Sequence, residues 1–103
     1  MIVRVWRARA TREKAERYRE HLETAVFPVL RGIDGFLGAS LLERRTEEGV
    51  ELIVTTRWTT PLAVRAFAGE ALENAVVAPA AKAVLSSYDE HVYHYEVTAE
   101  CKP

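Results

Sequence analysis

Four side chains in this sequence have the types needed to act on a small organic molecule: His94, Arg4, Trp6 and Trp58. An imidazole titrates near neutrality, so His94 is the best candidate for a general base; its plainer role is a structural ring bonded to a strand neighbour. Arg4 can pair with an anionic substrate if it faces inward beside Trp6, or it can form a cross-strand salt bridge to Glu96. Trp6 and Trp58 can stack on a flat aromatic compound, although as core or interface residues they need no ligand.

Other chemistries find less support. His21, His91, His94 and Cys101 show no H-x-x-x-H or C-x-x-C spacing, and on a strand His91 and His94 point to opposite faces, so no metal is implied. No glycine-rich loop joins a strand to a helix, so no nucleotide cofactor is implied either. His91, Tyr93 and Tyr95 share one face and would line the pocket in place of His94 if the last strand were turned over. His21 falls on the flank of the first helix and is expected in solvent.

Fourteen basic against fifteen acidic residues leave a formal net charge of -1, which draws the chain to neither nucleic acid nor anionic lipid. The aromatic and basic signature of RNA-binding sheets is missing from residues 2–7 and 51–57. No stretch approaches the roughly 18 apolar residues of a membrane span, and the N-terminus lacks the apolar run of a signal peptide. With one cysteine, Cys101, there is no internal disulfide, and a reducing cytoplasm is the expected location. The 103 residues read as one domain, with a frayed tail over residues 98–103.

The elements that must position these residues follow from pattern. Residues 2–10 read as a strand with Ile2, Arg4, Trp6 and Ala8 on one face and Val3, Val5 and Arg7 on the other. Thr11 can cap a helix whose buried stripe is Ala15, Tyr18, Leu22, Ala25, Val26 and Val29, with a kink or stop at Pro28. Residues 36–45 and 51–58 form two antiparallel strands joined by a hairpin around Glu47 and Glu48. Thr59 or Thr60, Pro61 and Gly69 punctuate a second helix. Residues 70–78 suggest a short helical turn, Pro79 starts a last helix reaching about residue 87, and residues 91–97 alternate as the fourth strand.

The order β-α-β-β-α-β defines an α+β, ferredoxin-like sandwich with a four-stranded antiparallel sheet and its helices on one face. If Val3, Val5 and Ile53 face the helices, then Ile2, Trp6, Leu52, Val54 and Trp58 lie on the uncovered face. A second copy of the chain is then the expected cover, since each buried indole contributes about 1.5–3 kcal/mol or more. Two sheets meeting in such a homodimer would also enclose a pocket.

The sequence resembles the antibiotic biosynthesis monooxygenase family. The likeness spans about residues 2–97 and rests on Gly35-Phe36-Leu37-Gly38, on Trp58 followed by the Phe67-Ala68-Gly69 helix, and on the closing His94-Tyr95-Glu96-Val97. The resemblance implies a dimeric α/β barrel. Its members include cofactor-free oxygenases of aromatic polyketides, quinol monooxygenases, haem-degrading enzymes and proteins of no known activity. Trp58 matches the pocket tryptophan at the end of the third strand. Val54 stands where the polyketide branch has an asparagine. Ala68 and Trp6 stand where the haem-degrading branch has its histidine and its first-strand asparagine, so haem degradation ranks last among the implied activities.

The leading expectation is therefore a cofactor-independent monooxygenase acting on a planar aromatic or quinol-like compound. His94 and Arg4 would serve as catalytic groups, and Trp6, Trp58 and Val54 as substrate-binding groups. Such a reaction needs a substrate that ionises and hands an electron to oxygen while the protein stabilises its anion. The alternative is a non-catalytic dimeric module that binds a small metabolite or supports a pathway assembly.

Overall fold

The structure, a computed structural model, describes residues 1–103. β1 (Ile2–Ala10) passes through Thr11, whose side chain accepts from the Lys14 amide at 3.2 Å, into α1 (Arg12–His21). Proline has no N–H, and its ring crowds the carbonyl four residues back. Instead of a kink or stop at Pro28, the helix widens into a π-helical stretch, Leu22–Val26, where the Phe27 amide reaches back five residues to the Leu22 carbonyl. It then continues as α2 (Phe27–Arg31).

β2 (Phe36–Thr46) and β3 (Gly49–Trp58) form the expected hairpin. Thr60 caps α3 (Pro61–Ala68) by accepting from the Ala63 amide at 3.3 Å, with Pro61 in the first turn. Gly35 lets β2 start beneath this helix. Its φ is 89°, and a Cβ there would stand 2.6 Å from the Ala63 Cβ.

The last third differs from expectation. α4 is a single turn (Pro79–Lys82), and the final strand is split into β4 (Ser87–Tyr88) and β5 (Tyr93–Glu96). Both lie along the same edge of β1, giving an open, five-stranded antiparallel sheet in which β1 and β3 are central and β2 forms the other edge. Between β4 and β5 the backbone turns to a different partner. Ala75 donates to the Glu90 carbonyl and Val92 to the Glu73 carbonyl, each at 2.8 Å, with His91 opposite Asn74. Residues 73–75 are thus drawn into a ladder, which uses the backbone groups that the expected helical turn would have needed.

The sheet's faces are the reverse of the expected assignment. Trp6, Ala8, Leu52 and Trp58 are buried beneath the chain's own helices, packed with Ala15, Tyr18 and Leu22 in one cluster and with Leu30 and Val64 in another. Val3, Val5 and Ile53, which share the open face, are only half-buried. Charge explains the choice: the open face carries Arg7, Arg9, Glu51 and Arg57, whereas the covered face of these two strands carries Arg4 alone. Four charges under the helices would have forfeited their hydration. The two indoles therefore do not lie on the face left for a partner.

Candidate functional site

Pairing across the sheet aligns the site. In one row Thr56 of β3, Arg4 of β1 and His94 of β5 stand side by side, and in the next Val54 stands opposite Trp6. Above them, between the sheet and α1, lies a cavity of about 110 Å³. Arg4, Trp6, Val54 and Thr56 form its floor, Tyr18, His21 and Phe27 one wall, and Phe67 and Val76 part of another. Thirteen of its sixteen lining residues are hydrophobic, so the few polar groups decide what it holds.

Arg4 is only 4 % exposed. The expected alternative of a salt bridge to Glu96 does not form, and no carboxylate pairs with Arg4. Its guanidinium is held by neutral acceptors: Nη1 donates to the Leu72 carbonyl at 2.5 Å and lies 3.0 Å from His94 Nε2, while Nη2 donates to the Asn74 carbonyl at 2.8 Å. The Phe67 ring lies 6.0 Å from Cζ. Burial lowers the Arg4 pKa to about 10, which leaves it cationic at neutral pH. These contacts use three of its five N–H groups. The result is a positive charge in an apolar cavity with no counter-ion, an arrangement that favours an anion.

His94 faces inward with Arg4, which settles the orientation of the last strand; Tyr93 and Tyr95 are exposed on the open face and His91 is exposed as well. His94 does not line the cavity. Because Arg4 can only donate, His94 Nε2 must accept, which assigns a neutral ring with its proton on Nδ1. Burial pushes the His94 pKa down, the Arg4 charge adds to the effect, and Glu73 partly opposes it.

Trp6 lines the cavity and donates to the Asp89 carbonyl at 2.6 Å, tying it to the break between β4 and β5. Trp58 stands behind the wall, 0 % exposed, edge-on to Phe36 and stacked near Phe67. Its indole N–H donates to Thr56 Oγ1 at 2.8 Å, and it backs the cavity through Thr56, Phe67 and Leu30. Of the sequence-derived candidates, the structure thus places Arg4, Trp6 and Val54 on the cavity, with His94 and Trp58 one layer back, each bonded to a residue that does line it.

Sequence reasoning missed Tyr18 and His21. His21, expected in solvent, is half-buried on the cavity wall with its ring 6.2 Å from that of Tyr18. Tyr18 is buried, and burial pushes its phenol pKa well up, so the group stays neutral. The available signal was their three-residue spacing on one helical stripe. No three His, Cys, Asp or Glu side chains gather so as to hold a metal ion, and no helix is long and apolar enough to cross a membrane.

An open antiparallel sheet with helices on one face and a cavity between the layers defines a ferredoxin-like α+β domain. Residues 1–85 match the model of the antibiotic biosynthesis monooxygenase family, and the chain belongs to that family. Its fold is that of several solved structures. A candidate antibiotic biosynthesis monooxygenase from Bacillus cereus superposes with a TM-score of 0.72 at 15 % identity, covering 100 % of this chain and 96 % of the other. Rv0793 from Mycobacterium tuberculosis gives 0.64 at 17 %, covering 98 % of each chain. The monooxygenase from the gene ActVA-Orf6 of Streptomyces coelicolor, solved in complex with the ligand nanaomycin D, gives 0.62 at 17 %, covering 99 % of this chain and 91 % of the other. No curated protein matches the chain in sequence.

Proposed function

We propose that the chain is a cofactor-independent monooxygenase acting on a planar, acidic aromatic or quinol-like compound, bound as its anion in the cavity beneath α1. The observation that carries this reading is Arg4, a buried cation without a carboxylate partner on the floor of an apolar cavity. Family membership and the nanaomycin D complex of a structural neighbour support it.

In this mechanism Arg4 lowers the pKa of the bound substrate by stabilising its enolate or phenolate. His21, on the cavity wall, accepts the proton. His94 holds the Arg4 guanidinium in place, and Trp58 orients Thr56. Trp6 and Val54 flank the ring and exclude water. The anion passes one electron to dioxygen, giving a substrate radical and superoxide, which combine to form a C–O bond. The protonated peroxide then loses water with cleavage of its O–O bond, leaving a carbonyl. An anthrone and one dioxygen thereby become an anthraquinone and one water, the substrate itself being the reductant.

The open sheet face supports a homodimer as the working form. Leu42, Tyr93 and Tyr95 are at least half exposed there beside Val3, Val5 and Ile53. The free, exposed Cys101 is compatible with a reducing cytoplasm.

Oxygen uptake with anthrones and quinols tests the reading. Turnover that Arg4→Met abolishes supports it. Tight binding of these compounds without oxygen uptake would instead favour the non-catalytic binding module.

A further inference from the structure

Tyr18 is 3 % exposed, yet its hydroxyl makes no hydrogen bond within the chain. No side-chain polar atom is sealed in the interior without a partner, so the phenol oxygen keeps accessible surface, and its residue lines the cavity. A ligand that covers this hydroxyl without pairing it would incur about 1–3 kcal/mol, and a ligand oxygen that accepts from it removes that cost. Its ring centroid lies 6.2 Å from that of Trp6, whose own indole N–H is already engaged by the Asp89 carbonyl. Arg4 precedes Trp6 by two residues on the same strand face, about 7 Å along the strand. The indole therefore neighbours two polar groups of unlike character, a fixed cation and a neutral donor.

From this arrangement we infer that Tyr18 is a specificity-determining residue, and that the ligand is a flat aromatic anion carrying a second acceptor oxygen on its ring, apart from both its charge and the carbon that is oxygenated. The anionic end meets Arg4, the ring lies along Trp6, and the second oxygen accepts from the Tyr18 hydroxyl. The inference rests on the cavity being an anion site as proposed above. It goes further in requiring a second ring oxygen, because an anion without one would leave the phenol unpaired.

Two probes separate these ideas: lawsone, a hydroxynaphthoquinone that is anionic at neutral pH and has a carbonyl across the ring, and naphthoate, which has a carboxylate and no oxygen on its ring. Calorimetry on the wild-type protein, Tyr18→Phe and Arg4→Met measures both, with thermal melting as the check on folding. Lawsone should bind the wild type more tightly than naphthoate. Tyr18→Phe should weaken lawsone about tenfold and leave naphthoate within about twofold, the loss expected for one hydrogen bond. Lawsone binding no tighter than naphthoate in the wild type, or Tyr18→Phe changing both probes equally or neither, overturns the role of Tyr18. Arg4→Met weakening neither probe would instead overturn the anion site itself.

Discussion

Arg4 Nη1 lies 3.0 Å from His94 Nε2, and this contact ties the charge of one residue to the protonation of the other. The guanidinium can only donate, so the imidazole must stay neutral while the contact lasts. Protonating His94 would set two cations against each other in a poorly hydrated place.

The His94 pKa is lowered from its ordinary 6.5 by burial and by Arg4, against a smaller opposing pull from Glu73. The unfolded chain therefore binds the extra proton more readily than the native one. Stability from this group is fully present above pH 6.5 and is lost as pH falls through the folded value. Thermal melting between pH 7.5 and about pH 5, above the range where carboxylates titrate, should show a falling Tm in the wild type. His94→Gln, whose amide oxygen can still accept from Arg4, should flatten that slope. An unchanged slope would show that the ring does not hold this position.

Arg4→Lys keeps the charge and loses the fork. A single ammonium cannot reach the carbonyls of Leu72 and Asn74, His94 and a substrate together. The variant should fold and lose kcat/KM by about tenfold or more, roughly 1.4 kcal/mol or above in transition-state stabilisation. Kinetics equal to wild type would show that one positive charge suffices.

Trp58→Phe removes the donor to Thr56 Oγ1 and opens space in the cluster with Leu30 and Val64. It should destabilise the protein by about 2 kcal/mol, lowering Tm by roughly 10 °C. Thr56→Val should lower both stability and substrate binding, because it leaves the buried Trp58 N–H without its acceptor and removes a polar group from the cavity. If Trp58→Phe leaves Tm in place, the indole is not the anchor its burial implies.

The open sheet face predicts association. Sedimentation should find a dimer, and Val5→Glu, beside Tyr93 in the register, should shift it to a monomer without changing its circular dichroism. A wild-type monomer at working concentration would leave that face without the proposed partner.

Much of the fold was legible where local chemistry punctuates the chain. Alternation bounded β1, Thr11 and the pair Thr59 and Thr60 marked helix starts, with Thr60 proving to be the cap, and Glu47 and Glu48 sat in the hairpin loop. Which face of the sheet was covered was not legible from hydrophobicity, because Val3 and Val5 rival Ile2 and Trp6; the charges at Arg7, Arg9, Glu51 and Arg57 held the answer. The split final strand depended on residues 73–75 pairing with residues 90–92, a tertiary contact that no local pattern announces. For the site, Arg4, Trp6 and Val54 could be found from strand parity. Tyr18 and His21 were hidden because an aromatic and a histidine on a helix stripe look like core and surface until a cavity joins them.

The most direct measurement supplies isotopically heavy dioxygen to the purified protein with an anthrone and follows the label into the quinone by mass spectrometry. The account predicts one labelled oxygen atom per quinone formed, the other leaving as water, at a rate that Arg4→Met brings down to the buffer background. A wild-type rate no faster than buffer, or a quinone carrying no label, would contradict it.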